Sequence, residues 1–155
     1  MADMGRAAVY AAEIAAFEGT SYESITPFPE LLGLASLITN AGWWPYGSIR
    51  VVPARSDAGS SSARQRGTDT PVIRLASPQT TPATLVHEFA HVLAGVARGH
   101  DRVFRRAHVD LTGFLFGEVE ATWLLDAYAT VALAPGLRVW PAPPVRRGTG
   151  GPLAL

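Results

Sequence analysis

The chain contains no cysteine among its 155 residues. This absence excludes disulfides, thiolate nucleophiles and cysteine-based zinc sites, so any metal site here must use His, Asp or Glu. Lysine is also absent, and 13 arginines are balanced by 13 acidic residues. Because the formal net charge is zero, the chain has no overall field that attracts nucleic acid or an anionic membrane surface.

Long apolar runs are absent as well. No stretch of about 18 consecutive apolar residues occurs, so we expect no membrane span. The Ala-rich start contains Tyr10 and Glu13, which interrupt the apolar core that a signal peptide needs. An amphipathic helix with Tyr10, Ile14 and Phe17 on one stripe fits this segment better. We therefore expect a cytoplasmic protein.

The length and the composition favour one compact domain. We place this domain at residues 1–134, because residues 135–155 are rich in Pro and Gly and are expected to form a flexible tail. Hydrophobic periodicity and turn residues predict further elements, namely helices at 29–40, 101–116 and 118–133, a helix that begins at Pro82, and strands at 48–53, 62–66 and 71–76. The pattern predicts an α+β fold in which a small sheet of about three strands packs on helices.

The helix that begins at Pro82 carries three polar residues within the apolar sequence "TLVHEFAHVL". His87 and His91 are four residues apart, so both rings lie on one helix face and can bind one zinc ion. Glu88 is positioned to reach a water on the open side of that ion, as the general base does in the H-E-x-x-H motif. Burying these side chains without partners would cost several kcal/mol each, and a metal ion removes much of that cost.

A catalytic zinc ion takes three protein ligands and a water, which makes His100 the candidate third ligand. On an unbroken helix His100 would lie about 13 Å beyond His91 and on the opposite face. The helix must therefore break, and Gly95 and Gly99 are suited to the break because glycine adopts positive φ readily. Asp101 is then the expected N-cap of the following helix.

Other polar residues leave alternatives open. Glu118 and Glu120 are the alternative third ligands. His108 shares a stripe with apolar residues, so we expect a partly buried packing role. Asp126 and Tyr128 interrupt an apolar helix, and they indicate either an exposed face or support for the site. Arginines near His100 are expected on a solvated face: Arg98, Arg102, Arg105 and Arg106.

Residues 84–104 resemble the signature of SprT-like and WLM-type metallopeptidases, which is H-E-x-x-H, a variable loop and H-[GD]-x-x-F. The order of elements over residues 7–134, including "VYAAE", is also similar to a family of small metallohydrolases of actinobacteria and their phages. The resemblance implies a minimal zincin-like domain, with His87, His91 and His100 as zinc ligands and Glu88 as the catalytic base. It also implies that Phe104 packs behind the third ligand. The Cys-rich nucleic-acid module of many SprT-like proteins is absent, which argues against a role in DNA-linked protein repair.

These observations predict a zinc-dependent hydrolase, with a peptide or protein as the expected substrate. The strand at 71–76, directly before the helix, is expected to be the one along which an extended peptide lies. A module without catalytic activity that keeps a structural metal site, and a zinc hydrolase acting on a non-peptide amide, remain alternatives. The sequence indicates neither the substrate nor the oligomeric state.

Overall fold

The computed structural model describes residue 3 and residues 5–55, 57–64 and 70–147. Within these ranges the helices and strands are α1 (Arg6–Phe17), α2 (Phe28–Thr39), β1 (Arg50–Pro53), β2 (Ser61–Arg64), β3 (Pro71–Leu75), α3 (Pro82–Ala94), α4 (Arg102–Leu115) and α5 (Glu118–Thr130), with one 3-10 turn at Ser21–Glu23. The α+β class is confirmed. None of the described helices is both long enough and apolar enough to cross a membrane.

The sheet has β3 at its centre. β1 pairs with β3 in parallel and β2 pairs with it antiparallel, so that Val51 and Ser62 both lie opposite Ile73. Because both edges of β3 are occupied, the expectation that an extended peptide lies along residues 71–76 is wrong. Proximity to α3 in sequence does not determine the order of strands, and here β1 and β2 form the two edges of the sheet.

α3 lies between the sheet and the other helices, where it contacts β2, β3, α2 and α4. It begins as expected at Pro82, and the Thr81 side chain accepts a hydrogen bond from the backbone N–H of Thr84 at 3.2 Å. Its apolar side chains are buried around most of the helix, and Leu85 and Phe89 are fully inaccessible. Polar groups on α3 therefore need partners within the protein.

α1 buries a different stripe from the expected one. Tyr10 and Ile14 are 39% and 55% exposed, so the predicted stripe is correct only for Phe17. The buried stripe instead includes Val9, Glu13 and Phe17. The glutamate occupies a core position because this side of α1 faces the histidines of α3 and α4.

Residues 135–147 include several that contact α4. The buried carboxylate of Asp110 accepts two hydrogen bonds from Arg138, each 2.9 Å long, and one from the indole N–H of Trp140 at 3.0 Å. Trp140 itself is only 7% exposed. These contacts attach the segment to the domain, while residues 148–155 lie outside the described residues.

Asp110→Ala is expected to lower the free energy of unfolding by about 1–3 kcal/mol, because the buried indole N–H of Trp140 loses its acceptor. Urea denaturation measures this change. Asp126, which is exposed on α5, provides the control, and Asp126→Ala should change stability by less than about 0.5 kcal/mol. Equal stability of Asp110→Ala and the wild-type protein would contradict the attachment.

Candidate metal centre

A reversal of the chain after α3 brings His100 back to the two histidines of that helix. Gly95 and Gly99 have φ values of +114° and +67°, a backbone region that residues with a Cβ atom rarely adopt. Asp101 then caps α4 by accepting hydrogen bonds, each 3.0 Å long, from two backbone N–H groups of its first turn. The break and the cap are both confirmed.

His87, His91 and His100 present ring nitrogens to one small volume. The three candidate ligand atoms lie within 4.8 Å of one another, and the Nε2 atoms of His87 and His100 are 3.2 Å apart. Phe104 is fully buried, and its ring centroid is 4.4–5.1 Å from those of the three imidazoles. The structure therefore places the three predicted ligands together with Phe104 packed against them.

Carboxylates on the far side of two rings determine which nitrogen faces the cluster. The Nδ1 atom of His87 is 3.1 Å from Oε2 of Glu13, and the Nδ1 atom of His100 is 2.5 Å from Oδ2 of Asp3. Because a carboxylate accepts hydrogen bonds, Nδ1 carries the hydrogen in each ring and the Nε2 lone pair faces inward. Two lone pairs at 3.2 Å repel each other unless a proton or a metal cation lies between them. This donor set fits a cation that binds imidazole.

The three rings differ in their affinity for a proton. Burial and the neighbouring imidazoles lower the pKa of His91 to about 3, so this ring is neutral, the form that binds metals. Burial also lowers the pKa of His100, against the opposing effect of Asp3. Burial acts in the same direction on His87, but Glu13 outweighs it and the pKa of His87 lies above its usual value. His87 is therefore the ring on which a proton is most stable.

Glu88 lies beside the cluster and lines a cavity. Its side chain is buried, and Oε2 has no hydrogen-bond partner among the described residues. Burial raises the pKa of Glu88, against the opposing effects of His87 and Ser62. The cavity has a volume of about 250 Å³, and its walls include Glu88, His87, Arg6, Tyr10, Ser60, Gln79 and Thr84. A carboxylate with one unpartnered oxygen and a raised pKa is suited to taking up a proton.

The alternative ligands on α5 do not join the cluster. Glu118 is exposed at the beginning of the helix. Glu120 is buried, but its Oε1 accepts a hydrogen bond from the hydroxyl of Tyr22 at 2.7 Å. Neither belongs to a potential metal-binding group among the described residues.

Two further expectations need correction. His108 and Tyr128 are both fully buried, and Nδ1 of His108 is 2.6 Å from the Tyr128 hydroxyl. The interpretation as an exposed helix face therefore holds for Asp126 but not for Tyr128. Arg105 is also buried, and it donates hydrogen bonds to the backbone carbonyls of His100 at 2.9 Å and Ala134 at 3.0 Å. A solvated face is therefore wrong for Arg105, which instead holds the backbone of the third histidine.

Sequence reasoning missed the roles of Asp3, Glu13 and Tyr10. The Tyr10 ring stacks on His87 with centroids 5.2 Å apart and planes 10° apart. The one available signal was Glu13, an acidic residue within the apolar pattern of α1. Asp3 carries no such signal, because it precedes the helix.

Comparisons with known proteins add no family: no family model matches the chain, and no curated protein or solved structure matches it. The resemblance to SprT-like and WLM-type metallopeptidases stays a prediction. Functional inference therefore depends on the geometry of the site.

The wild-type protein is expected to bind one equivalent of zinc, and His87→Ala and His100→Ala are expected to lose it, because two imidazoles hold a catalytic zinc ion poorly. Elemental analysis after gel filtration measures the content. Glu118→Gln is the control and should retain the metal. Zinc retained by His100→Ala and lost by Glu118→Gln would instead place the third ligand on α5.

Proposed function

We propose that this protein is a zinc-dependent hydrolase that cleaves peptide bonds, with His87, His91 and His100 as metal ligands and Glu88 as general base. The observation that carries the proposal is the 3.2 Å approach of two Nε2 atoms, each turned inward by a carboxylate on the opposite nitrogen. A proton or a metal cation relieves the repulsion between these nitrogens, and neutral imidazole is a preferred ligand of zinc.

The number of protein ligands supports a catalytic metal over a structural one. Structural zinc sites are usually closed by a fourth protein ligand, whereas catalytic sites keep one position open. Among the described residues, no fourth His, Asp or Glu joins the group formed by His87, His91 and His100. The open position is the feature that distinguishes the proposal from a metal-stabilised binding module.

Zinc held by these residues supplies a Lewis acid that polarises the substrate carbonyl and lowers the pKa of a water towards neutrality. Glu88 takes the proton of the attacking water at its unpartnered Oε2 and passes it to the amine nitrogen as the C–N bond breaks. Burial of Glu88 favours this role, because it raises the pKa of the carboxyl. Phe104 excludes water from one side of the ligands, since it is buried against all three rings.

The edge strand β2 favours an extended peptide as the substrate. β2 packs against α3, Ser62 lies within hydrogen-bonding reach of the Glu88 carboxylate, and Ser60 lines the same cavity. The outer edge of β2 pairs with no strand in the described part of the chain. Its backbone groups are thus positioned to pair with an extended peptide next to Glu88, in the role that the sequence assigned to β3.

Glu88→Gln is expected to keep the zinc content of the wild-type protein and to lower kcat by a factor of about 10²–10⁴, because glutamine cannot accept the proton of the attacking water. Turnover of a library of quenched fluorescent peptides measures the rate. Glu18→Gln, at the exposed C-terminal end of α1, is the matched control and should keep full activity.

A Glu88→Gln variant that cleaves peptides as fast as the wild-type protein would refute the role of the base. Zinc-loaded wild-type protein that cleaves no peptide would refute the peptidase proposal. Testing this protein on non-peptide amides then separates a different acyl substrate from a catalytically silent module.

A further inference from the structure

Glu13 is a buried ionisable residue that the proposed reaction does not use. It lies on α1 and is 7% exposed. Its carboxylate contacts two imidazoles, those of His87 and His108. Oε2 is 3.1 Å from Nδ1 of His87, and Oε1 is 3.5 Å from Nε2 of His108. An ionised carboxylate is costly to bury, so these two contacts require an explanation.

The contact with His87 fixes the ring of a candidate ligand. With its hydrogen on Nδ1 and directed at Glu13, the ring has only Nε2 available for a metal, and rotation about the side chain would break the hydrogen bond. Asp3 makes the same type of contact with Nδ1 of His100. The segment that contains Asp3 and Glu13 therefore orients two of the three candidate ligands.

His108 lies beside the other carboxylate oxygen of Glu13: its Nε2 is 3.5 Å from Oε1, and neither of these two buried atoms has a hydrogen-bond partner among the described residues. Burial raises the pKa of Tyr128 well above its usual value, so its hydroxyl keeps its hydrogen. Nδ1 of His108 is 2.6 Å away, and it accepts this hydrogen when Nε2, the nitrogen that faces the Glu13 carboxylate, carries the hydrogen of the ring. Burial also lowers the pKa of His108, and the ring stays neutral as this arrangement requires.

The start of α1 packs closely on the third ligand. A Cβ atom added at Gly5 would lie 2.8 Å from the backbone carbonyl oxygen of His100. A Cβ added at Gly99 would lie 2.9 Å from a carboxylate oxygen of Asp3. These short approaches restrict movement of α1 relative to the loop that carries His100. They therefore help to keep the carboxylates of Asp3 and Glu13 next to their histidines.

We propose that Glu13 is a positioning residue for the metal centre, which holds the His87 ring in the Nδ1–H form and is itself held by His108 and Tyr128. The inference rests on the proposed function, because it takes the three histidines as metal ligands. It adds that metal affinity depends on a four-residue chain running from α5 through α4 and α1 to α3. Partners of metal-bound histidines typically contribute a factor of about 10–100 in metal affinity.

Glu13, His87 and His108 also form a group that meets the distance criterion for a metal site. A cation there would require His87 to use Nδ1, the nitrogen that already contacts Glu13 at a hydrogen-bond distance. The positioning role accounts for the hydrogen-bond distance between Glu13 and His87 without a second ion, and we therefore expect one zinc ion per chain.

Glu13→Gln in the 155-residue chain tests the inference, because it preserves the shape of the side chain and removes the charge that holds Nδ1–H. The zinc dissociation constant, measured by competition with a chromogenic chelator, is expected to rise by a factor of about 10–100. Glu18→Gln on the same helix is the matched control and should leave the constant unchanged. The ¹⁵N shifts of His87 should show Nδ1–H in the zinc-bound wild-type protein and a mixture of tautomers in Glu13→Gln.

Tyr128→Phe is the second variant, and it keeps the test valid if Glu13→Gln does not fold. Removing the hydroxyl frees the His108 ring, so we expect a smaller rise in the zinc dissociation constant. An unchanged dissociation constant in the folded variants, while the wild-type protein binds zinc, would refute the positioning role and leave the proposed function intact. Wild-type protein that binds no zinc would refute both, and a content of two zinc ions that falls to one in Glu13→Gln would replace the positioning role with a second metal site.

Discussion

The close approach of two imidazoles, with the Nε2 atoms of His87 and His100 at 3.2 Å, is the constraint on which the site depends. Each ring is prevented from turning away, because a carboxylate holds its other nitrogen. The protein therefore holds two Nε2 lone pairs close together, which is unfavourable unless a proton or a metal cation lies between them. Positive φ at Gly95 and Gly99 makes the approach possible, since it allows the chain to reverse within a few residues of α3.

Much of the fold serves to hold this constraint. α3 carries two candidate ligands and the candidate base, the loop before α4 carries the third candidate ligand, and α1 supplies a carboxylate to the cluster. Arg105 fixes the backbone of His100 through its carbonyl. Cooperation between three helices and one loop explains why a small domain keeps an acidic residue such as Glu13 inside its core.

The predictable parts are those with local signals. The N-caps at Thr81 and Asp101 and the glycines after α3 act within a few residues of the groups they affect, and the structure agrees with each. The chain spacing of the three histidines identified the candidate ligands for the same reason.

Contacts between distant residues were not predictable. Glu13 and His87 are 74 residues apart and Asp3 and His100 are 97 apart, so no periodicity connects them. β3 is central because β1 and β2 both pair with it, and the alternation of apolar residues along a strand does not specify which strands pair. We expected Arg105 on a solvated face because a cluster of arginines is usually hydrated. Its guanidinium is instead buried and donates hydrogen bonds to two backbone carbonyls.

X-ray absorption at the zinc edge of the loaded protein tests the central claim most directly, because it reports the atoms bound to the ion. The account predicts three imidazole nitrogens and one oxygen at about 2.0–2.1 Å. A shell with fewer than three imidazoles, or one made mainly of oxygen atoms, would show that these histidines do not converge on a common cation.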